Sequence, residues 1–394
     1  MKATEKDKRI ESRLMEDYKK ITPSLVAREK LDKHTEVIQS IIIQQLGISP
    51  LTFRSRTLLD LGCGTGETTR AYALMGARCT GIDLNPVSIK YARELFKESK
   101  LRGGFKVSSI YELQRDQAKK RRTYAIVASL GVIHHLRRSE DGIGIMSNLV
   151  APGGIAILGV GTGLAGLQFL LIKKIIRVYA KTDDQIPTVA KRLFPIWIKR
   201  CAKFGMRTEE PVINDNIINR QHYYLPLSAI VAEFKRLGLR PFSFYQKPNY
   251  RNGDSAMNNS VDYVDPLVSL SELGWLYHTW DDKLTIAQDW RTRKEYVHWL
   301  TSIHNTIDGN TEDTKHDFWN YTGKFPNRLA LAETAVESHQ HAFIDVGMHE
   351  MKVLLESLKR GEKLEVIANL IKGFHVLFQG TAGLNMTYCA FYKP

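Results

Sequence analysis

The chain has 394 residues, of which 43% are hydrophobic and 25% charged, and its formal net charge is +14. Its four cysteines, at positions 63, 79, 201 and 389, show no disulfide or metal spacing, and no apolar window approaches the roughly twenty residues of a membrane span. These features exclude disulfide-rich and membrane-spanning classes, so we expect a cytoplasmic globular protein with a core domain and appended or inserted parts.

The first fifty residues predict an N-terminal helical cap. The pattern indicates two helices broken near Pro23, the second covering about residues 27–46. Four apolar side chains recur at helical spacing in that second segment: Ile38, Ile41, Ile42 and Leu46.

The most informative segment is LLDLGCGTGE at 58–67. Two apolar residues end a buried strand, Asp60 follows, glycines stand at 62, 64 and 66, and a helix begins. Alternate glycines let the backbone turn tightly and approach a ligand. A dinucleotide fingerprint would need its third glycine one residue later, and Glu67 would be a poor neighbour for a pyrophosphate. Asp60 instead suits a ligand with a cationic amino group.

The string DLGCGTG after an apolar strand resembles motif I of the class I S-adenosylmethionine (SAM)-dependent methyltransferases. The resemblance covers about residues 55–160, where five strand–helix units follow in order. It implies an α/β fold: a seven-stranded Rossmann-like methyltransferase sheet with helices on both faces, plus a largely α-helical insertion that covers the substrate. SAM is the implied cofactor, and methyl transfer is the implied activity.

The resemblance also assigns cofactor contacts. Asp83 ends the second strand, about twenty residues after the glycine loop, where an acid accepts hydrogen bonds from both ribose hydroxyls. Asn85 caps the next helix, with Pro86 in its first turn. Residues 105–113 indicate a third strand and loop, with Ser109 and Ile110 by the adenine. The implied cofactor-binding residues are Asp60, Gly62, Cys63, Gly64, Gly66, Asp83, Leu84, Ser109, Ile110, Ser129 and Leu130.

Residues 124–136 are a fourth strand and its exit loop, and residues 149–160 are the fifth strand. The exit loop carries His134 and His135, the candidate catalytic residues, because a histidine is an apt base if the acceptor must lose a proton. Adjacent side chains diverge, so one of the two is expected to pack structurally. Neither an Asn-Pro-Pro-Tyr nor an Asp-Pro-Pro-Tyr motif follows this strand, which argues against methylation of an exocyclic base amine. No Pro-Cys nucleophile is present, which argues against methylation at pyrimidine C5 through a covalent adduct.

The predicted domain organisation interrupts the core twice. The cap (1–50) is followed by the SAM-binding core (51–160) and then by a helical insertion (161–220). The insertion holds a second glycine pattern, GTGLAG, which we do not expect to bind the cofactor. It also holds an amphipathic helix at 167–179, which we expect to pack over the sheet edge. A core helix and sixth strand follow (221–250). A helical, aromatic-rich substrate cover (251–378) then precedes a final core strand (379–394) that pairs antiparallel beside the sixth. The alternative is an independent C-terminal helical domain.

The predicted cover has two features of its own. Five of the six tryptophans, at 275, 280, 290, 299 and 319, lie there and either form a small helical core or line an acceptor pocket. Glu337, His341, Asp345 and His349 recur every four residues, which fits either a solvated face with charge pairs or a metal site. Because no second group of ligands is apparent in the sequence, the solvated face is favoured and no metal is predicted.

Three functions remain open. The first is methyl transfer to a small or medium-sized organic acceptor, apolar or acidic, as in natural-product biosynthesis. The second is methylation of tRNA or another nucleic acid, which the +14 charge and the basic run at 119–122 would serve, although a solvated loop explains that run as well. The third is a non-catalytic partner subunit with the same fold.

Overall fold

The computed structural model describes residues 16, 23–113, 115, 122–136, 138–219, 223–245, 342–375, 377–378 and 386–394. A seven-stranded sheet with the order β3-β2-β1-β4-β5-β7-β6 lies at its centre. The strands are β1 (Thr57–Leu61), β2 (Arg78–Asp83), β3 (Gly103–Val107), β4 (Tyr124–Leu130), β5 (Val150–Gly161), β6 (Arg240–Tyr245) and β7 (Met386–Tyr392). The predicted seven-stranded α/β sheet is confirmed.

The first five strands are parallel, and β7 runs antiparallel between β5 and β6. The strands β6 and β7 are neighbours in the sheet although residues 246–385 separate them in sequence. Among the described residues, the next strand of the sheet after β6 begins at Met386, as the pattern of the last residues predicts. The boundaries assigned to the predicted domains stay predictions.

The helices of the described residues are numbered in chain order. They are α1 (Leu31–Ser40), α2 (Glu67–Leu74), α3 (Pro86–Glu98), α4 (Ser139–Leu149), α5 (Leu167–Tyr179), α6 (Ile186–Leu193), α7 (Pro195–Phe204), α8 (Glu209–Ile213), α9 (Leu227–Arg236), α10 (Ala342–Lys359) and α11 (Leu364–Lys372). A 3₁₀ turn (Arg28–Lys30) precedes α1 and a π turn (Ile41–Gln45) continues it, in the segment where a helix over 27–46 is predicted.

Apolar cores lie on both faces of the sheet because successive side chains of a strand point to opposite faces. Leu59 and Leu61 of β1 pack with α4 and α9 in one core. Leu58 packs on the other face with Ile42 of the N-terminal helical segment and Tyr72 of α2. A parallel sheet covered on both faces is the arrangement that near-continuous apolar strands require.

A further core is built from helices. Buried side chains of α5, α6 and α7 pack with those of α10 and α11. The helices after β5 therefore join α10 and α11, the described helices between β6 and β7, in one helical body, although the two groups lie far apart in sequence. The prediction that 167–179 packs over the sheet edge is wrong: its buried side chains belong to this helical core. Seven apolar side chains of α5 lie in this core and are spread around much of the helix, which therefore needs apolar neighbours on several sides.

Several predicted features fall outside the described residues. They are the five tryptophans at 275–319, Glu337, His341, and the basic residues 119–121. Within the described residues, no group of three histidine, cysteine or acidic side chains is arranged to hold a metal ion. Among the helices that the structure describes, none is long and apolar enough to cross a membrane.

Candidate functional site

A cleft of about 210 Å³ lies at the carboxyl ends of β1, β2 and β4. Parallel α/β sheets bind ligands at this edge, where the strand order reverses. The described residues that line it come from the glycine loop, the ends of β2 and β3, the exit of β4, the segment before α1 and the turn after α8. They are Pro23, Ser24, Gly62, Gly64, Thr65, Ile82, Asp83, Leu84, Asn85, Ser88, Ser108, Ser109, Ile110, Tyr111, Gly131, Val132, His135, Leu136 and Asp215.

The glycine loop is closely packed at one position and open at another. Gly62 and Gly64 have φ angles of 72° and 52°, in the left-handed region that favours glycine. A Cβ on Gly62 would lie 2.4 Å from a methyl carbon of Val132, whereas one on Gly64 would meet no atom within 4 Å. Gly62 therefore serves packing, and Gly64 leaves free space on the wall of the cleft.

Asp83 ties the glycine loop to the end of β2. Its Oδ2 accepts from the backbone N–H of Gly64 at 2.9 Å, and its Oδ1 accepts from the backbone N–H of Asn85 at 2.8 Å. Burial raises the pKa of the Asp83 carboxyl, whereas these two N–H donors lower it. The Asn85 side chain accepts from Val87 and Ser88 and caps α3, as predicted.

Leu84, Ser109 and Ile110 also line the cleft. The Ser109 hydroxyl accepts from the backbone N–H of Glu112 at 2.9 Å, and the Glu112 carboxylate accepts from the N–H of Ser109 at 3.0 Å. This reciprocal pair is a capping box, which starts a helical turn at Ile110. The Ser109 side chain thus fixes the local backbone beside the cleft.

Five other predicted cofactor residues do not line the cleft. Asp60 is buried and accepts from the Thr69 hydroxyl at 2.6 Å. Burial raises its pKa to about 7, against the lowering effect of that hydrogen bond. Cys63 is buried in a core cluster with Phe105. The side chains of Asp60 and Cys63 therefore contact Thr69 and this core cluster, respectively, and neither lines the cleft.

The other three of these five residues, Gly66, Ser129 and Leu130, contact neighbouring elements of the fold. Gly66, with φ 89°, precedes α2 and lies so close to α3 that a Cβ would approach Ala92 to 3.0 Å. The Ser129 hydroxyl donates to the carbonyl of Leu61 at 3.1 Å, which joins β4 to β1. Leu130 packs against β5, since a Cβ on Gly159 would lie 2.8 Å from it.

The two histidines occupy different environments. His135 lines the cleft, and its Nδ1 lies 3.2 Å from Nδ2 of Asn219. His134 is buried behind it, accepts from the backbone N–H of Gly161 through Nδ1 at 3.3 Å, and stacks on Tyr224. Burial holds the pKa of His134 well below its usual value. The expected division between a packed and an accessible histidine is thus present in the geometry.

Gly166 of the second glycine pattern serves packing. Gly163–Gly166 form a 3₁₀ turn after β5. The ring of Tyr224 lies against Gly166, where a Cβ would approach it to 2.3 Å.

An ion pair at the cleft has no counterpart in the sequence interpretation. Arg207 donates through Nη1 to Oδ2 of Asp215 and to the hydroxyl of Ser24, both at 2.8 Å. The carbonyl of Ser24 in turn accepts from the Thr65 hydroxyl at 3.3 Å. These bonds connect the turn after α8, the segment before α1 and the glycine loop around one end of the cleft.

Glu67, which follows the glycine loop, reinforces that connection. One of its carboxylate oxygens accepts from the Thr65 hydroxyl at 2.5 Å, and the other accepts from the backbone N–H of Val26 at 3.3 Å. A carboxylate in the first turn of α2 is also favoured by the helix dipole. Its role is to hold the N-terminal segment on the loop.

The cleft is negatively charged. Its charged lining residues, among those the structure describes, are Asp83 and Asp215, and neither lysine nor arginine contributes to the lining. Such a surface attracts a cation and repels a pyrophosphate or a phosphate ester.

Comparison with known proteins finds relatives over the part of the chain that contains the glycine loop and Asp83. Residues 58–154 match the family model described as a methyltransferase domain. Over 112 residues the chain is 35% identical to the ubiquinone biosynthesis O-methyltransferase of Bordetella avium, a match that covers 28% of this chain and 44% of that protein. The protein of the same name from Xanthomonas campestris pv. campestris is 32% identical over 101 residues, covering 26% and 41%. The chain thus spans less than half the length of these relatives.

Among solved structures, PKMT2 from Rickettsia typhi in complex with AdoHcy aligns with a TM-score of 0.44 and 14% identity. The alignment covers 60% of this chain and 49% of that protein.

Proposed function

We propose that this chain, whose residues 58–154 match the methyltransferase-domain family model, is a class I SAM-dependent methyltransferase that binds SAM in the cleft and transfers a methyl group to an organic acceptor of small or medium size. The observation that carries the proposal is the junction of Gly64 with Asp83 at an open, negatively charged cleft beside the glycine loop.

The residues present fit this cofactor. Gly64 leaves open space where a side chain would stand, so a ligand can approach the loop backbone. Both charged side chains of the described lining are carboxylates, which favours a sulfonium cation over a dinucleotide. When bound, SAM supplies a methyl group already activated by the sulfonium.

In this proposal, the chain's own residues bind and orient. Asp83 accepts from the ribose hydroxyls with the lone pairs that its two backbone bonds leave. Leu84, Ser109 and Ile110 lie around the adenine. The protein thereby holds the methyl group in line with the acceptor, and such proximity and orientation supply about 7–11 kcal/mol of the barrier in ideal cases.

His135 is the candidate base for an acceptor that loses a proton, because it is the histidine that lines the cleft. Asn219 positions it through the contact at Nδ1. An Asn219 amide that turns its oxygen toward Nδ1–H leaves the lone pair on Nε2, which is the form that removes a proton. An amide that donates to Nδ1 instead places the proton on Nε2. Proton removal therefore requires the first orientation.

The charge of the cleft also bears on the acceptor. With no lysine or arginine among the described lining residues, the site favours an apolar or neutral acceptor over an acidic one. The same charge does not favour a phosphate-rich nucleic acid at the site of transfer. The cytoplasmic location stays a prediction.

Isothermal titration calorimetry on the purified full chain tests the proposal. We expect saturable binding of SAM and of S-adenosylhomocysteine, its demethylated product, and no binding of NAD⁺ at the same concentrations. Binding of NAD⁺ without binding of either sulfur nucleoside would refute the proposal. If both bind, release of S-adenosylhomocysteine in the presence of apolar phenols, amines and acids then identifies the acceptor, with bulk tRNA as the nucleic-acid arm.

A further inference from the structure

The second carboxylate of the cleft, Asp215, comes from outside the core that carries the family motifs. It lies in a π turn (Asn214–Ile218) that continues α8, in the segment inserted after β5. It nevertheless lines the same cleft as Gly64 and Asp83. The helical body therefore contributes a charged group directly to the ligand-binding surface.

The contacts of Asp215 place it at the glycine-loop end of the cleft. Arg207 bridges its Oδ2 to the hydroxyl of Ser24, and the carbonyl of Ser24 accepts from Thr65 in the loop. Ile110 follows β3, which is separated from β1 and its glycine loop by β2 in the sheet. Asp215 is thus connected to the part of the cleft away from the proposed adenine contacts.

The same contacts leave part of the carboxylate free to receive a ligand. Oδ2 is bonded to Arg207, whereas Oδ1 makes no hydrogen bond to the described residues. The side chain keeps 26% of its surface exposed. Because Arg207 holds Oδ2 of the carboxylate, a ligand donor meets an already oriented acceptor, which reduces the entropy cost of binding.

Electrostatics indicates the charge of that ligand group. Asp83 and Asp215 interact unfavourably, since the pKa of Asp83 is raised by burial and also by the negative charge of Asp215. A cation placed between the loop and Asp215 relieves this repulsion, whereas an anion increases it.

We propose that Asp215 is a specificity-determining residue that accepts a hydrogen bond from the α-ammonium group of the cofactor's amino acid part. This assignment rests on the proposed function and adds to it a recognition element supplied by the helical insertion. Asp215 selects for ligands that carry the α-amino group, whereas Asp83 selects for ligands that carry the ribose hydroxyls.

Calorimetry with three ligands tests the assignment on the full chain. The ligands are S-adenosylhomocysteine, its des-amino analogue, which keeps the carboxylate, and 5′-methylthioadenosine, which lacks the whole amino acid part. In Asp215→Asn, we expect affinity for S-adenosylhomocysteine to fall about 10- to 100-fold, the range of a hydrogen bond between charged groups. Affinity for the other two ligands should change less than about threefold, on the order of the loss of a weak long-range interaction.

Glu210→Gln is the matched control, because Glu210 lies on α8 with an exposed side chain and leaves the cleft lining unchanged. Retained binding of 5′-methylthioadenosine shows that Asp215→Asn is folded. Equal weakening of all three ligands, or an unchanged affinity for S-adenosylhomocysteine, would overturn the role of Asp215 alone. If the unmodified protein binds none of the three, the proposed function fails and the assignment fails with it.

Discussion

The backbone N–H of Gly64 donates to Oδ2 of Asp83 at 2.9 Å, across 19 residues of sequence. The carboxylate that we expect to hold the ribose therefore also holds the loop that we expect to face the cofactor. Loop conformation and nucleoside recognition are joined in one side chain, so a change at Asp83 affects both.

Replacing Asp83 with asparagine should weaken both binding and folding. An amide has one acceptor oxygen, so it cannot accept from Gly64 and Asn85 through two separate oxygens as the carboxylate does. We expect affinity for S-adenosylhomocysteine to fall about 10- to 100-fold and the free energy of unfolding to fall by about 1–3 kcal/mol. Calorimetry and urea unfolding measure the two effects, with Asp184→Asn, an exposed acid in a distant turn, as the control. Unchanged binding would argue against the ribose role.

Replacing Gly62 with alanine should mainly lower stability, whereas replacing Gly64 with alanine should mainly weaken ligand binding. In Gly62→Ala the new Cβ meets Val132 at 2.4 Å, so strain and overpacking together should lower the free energy of unfolding by about 2–5 kcal/mol. In Gly64→Ala the Cβ enters open space, and the left-handed backbone should cost about 1–2 kcal/mol.

Ligand binding separates the same two variants further. Gly64→Ala should lose at least about tenfold in affinity for S-adenosylhomocysteine, because the new methyl group occupies ligand space. Urea unfolding and calorimetry on both proteins test the contrast. A Gly64→Ala variant that binds as tightly as the parent would show that no ligand approaches this wall of the cleft.

The motif predicted the edge of the sheet and the acid at the end of β2, because both follow from strand order and glycine conformation. It also assigned Asp60 and Cys63 to the ligand, and neither side chain lines the cleft. In the fold, Asp60 accepts from Thr69 and Cys63 packs in a core cluster, whereas Gly62, Gly64 and Thr65 line the cleft. The sequence motif alone does not distinguish a residue that lines the cleft from one that only supports the loop beside it.

The acidic residue after α8 was missed for a different reason. Asp215 and Arg207 lie in the helical insertion, with no motif or periodicity that sets them apart from other surface charges. Only the packing of that insertion near Ser24 and Thr65 brings them to the cleft. Tertiary contacts of this kind require the fold.

Variants of His135 and His134 should affect different properties, catalysis for His135 and stability for His134. With an acceptor that loses a proton, His135→Gln should lower kcat about 10²- to 10⁴-fold and leave affinity for S-adenosylhomocysteine nearly unchanged. Asn219→Ala should lower kcat less and shift the pH dependence of kcat, because it removes the contact at Nδ1 of His135. Steady-state kinetics across pH test both variants. Full activity of His135→Gln with such an acceptor would exclude this residue as the base.

His134→Gln should instead act on the pH dependence of folding. His134 is held neutral by burial, whereas in the unfolded chain it titrates near 6.5. Its contribution to stability is therefore present above pH 6.5 and is lost as pH falls below it, with a slope of up to about 1.4 kcal/mol per pH unit. Unfolding in urea at pH 5, 6 and 7 should show that the glutamine variant loses less stability on acidification than the parent. Parallel profiles would mean that His134 is not buried in the neutral form.

Asp60→Asn should have the opposite effect in the same pH range. Burial raises the pKa of Asp60 to about 7, above the 3.8 of an unfolded aspartate, so the folded state keeps a proton that the unfolded state has lost. The stability that this proton contributes is complete below pH 3.8 and is lost as pH rises through about 7. Asparagine does not titrate and keeps an acceptor for the Thr69 hydroxyl. Between pH 4 and 6.5 the two buried groups oppose each other in the parent, so Asp60→Asn should lose stability on acidification more steeply than the parent. A profile parallel to that of the parent would contradict the raised pKa of Asp60.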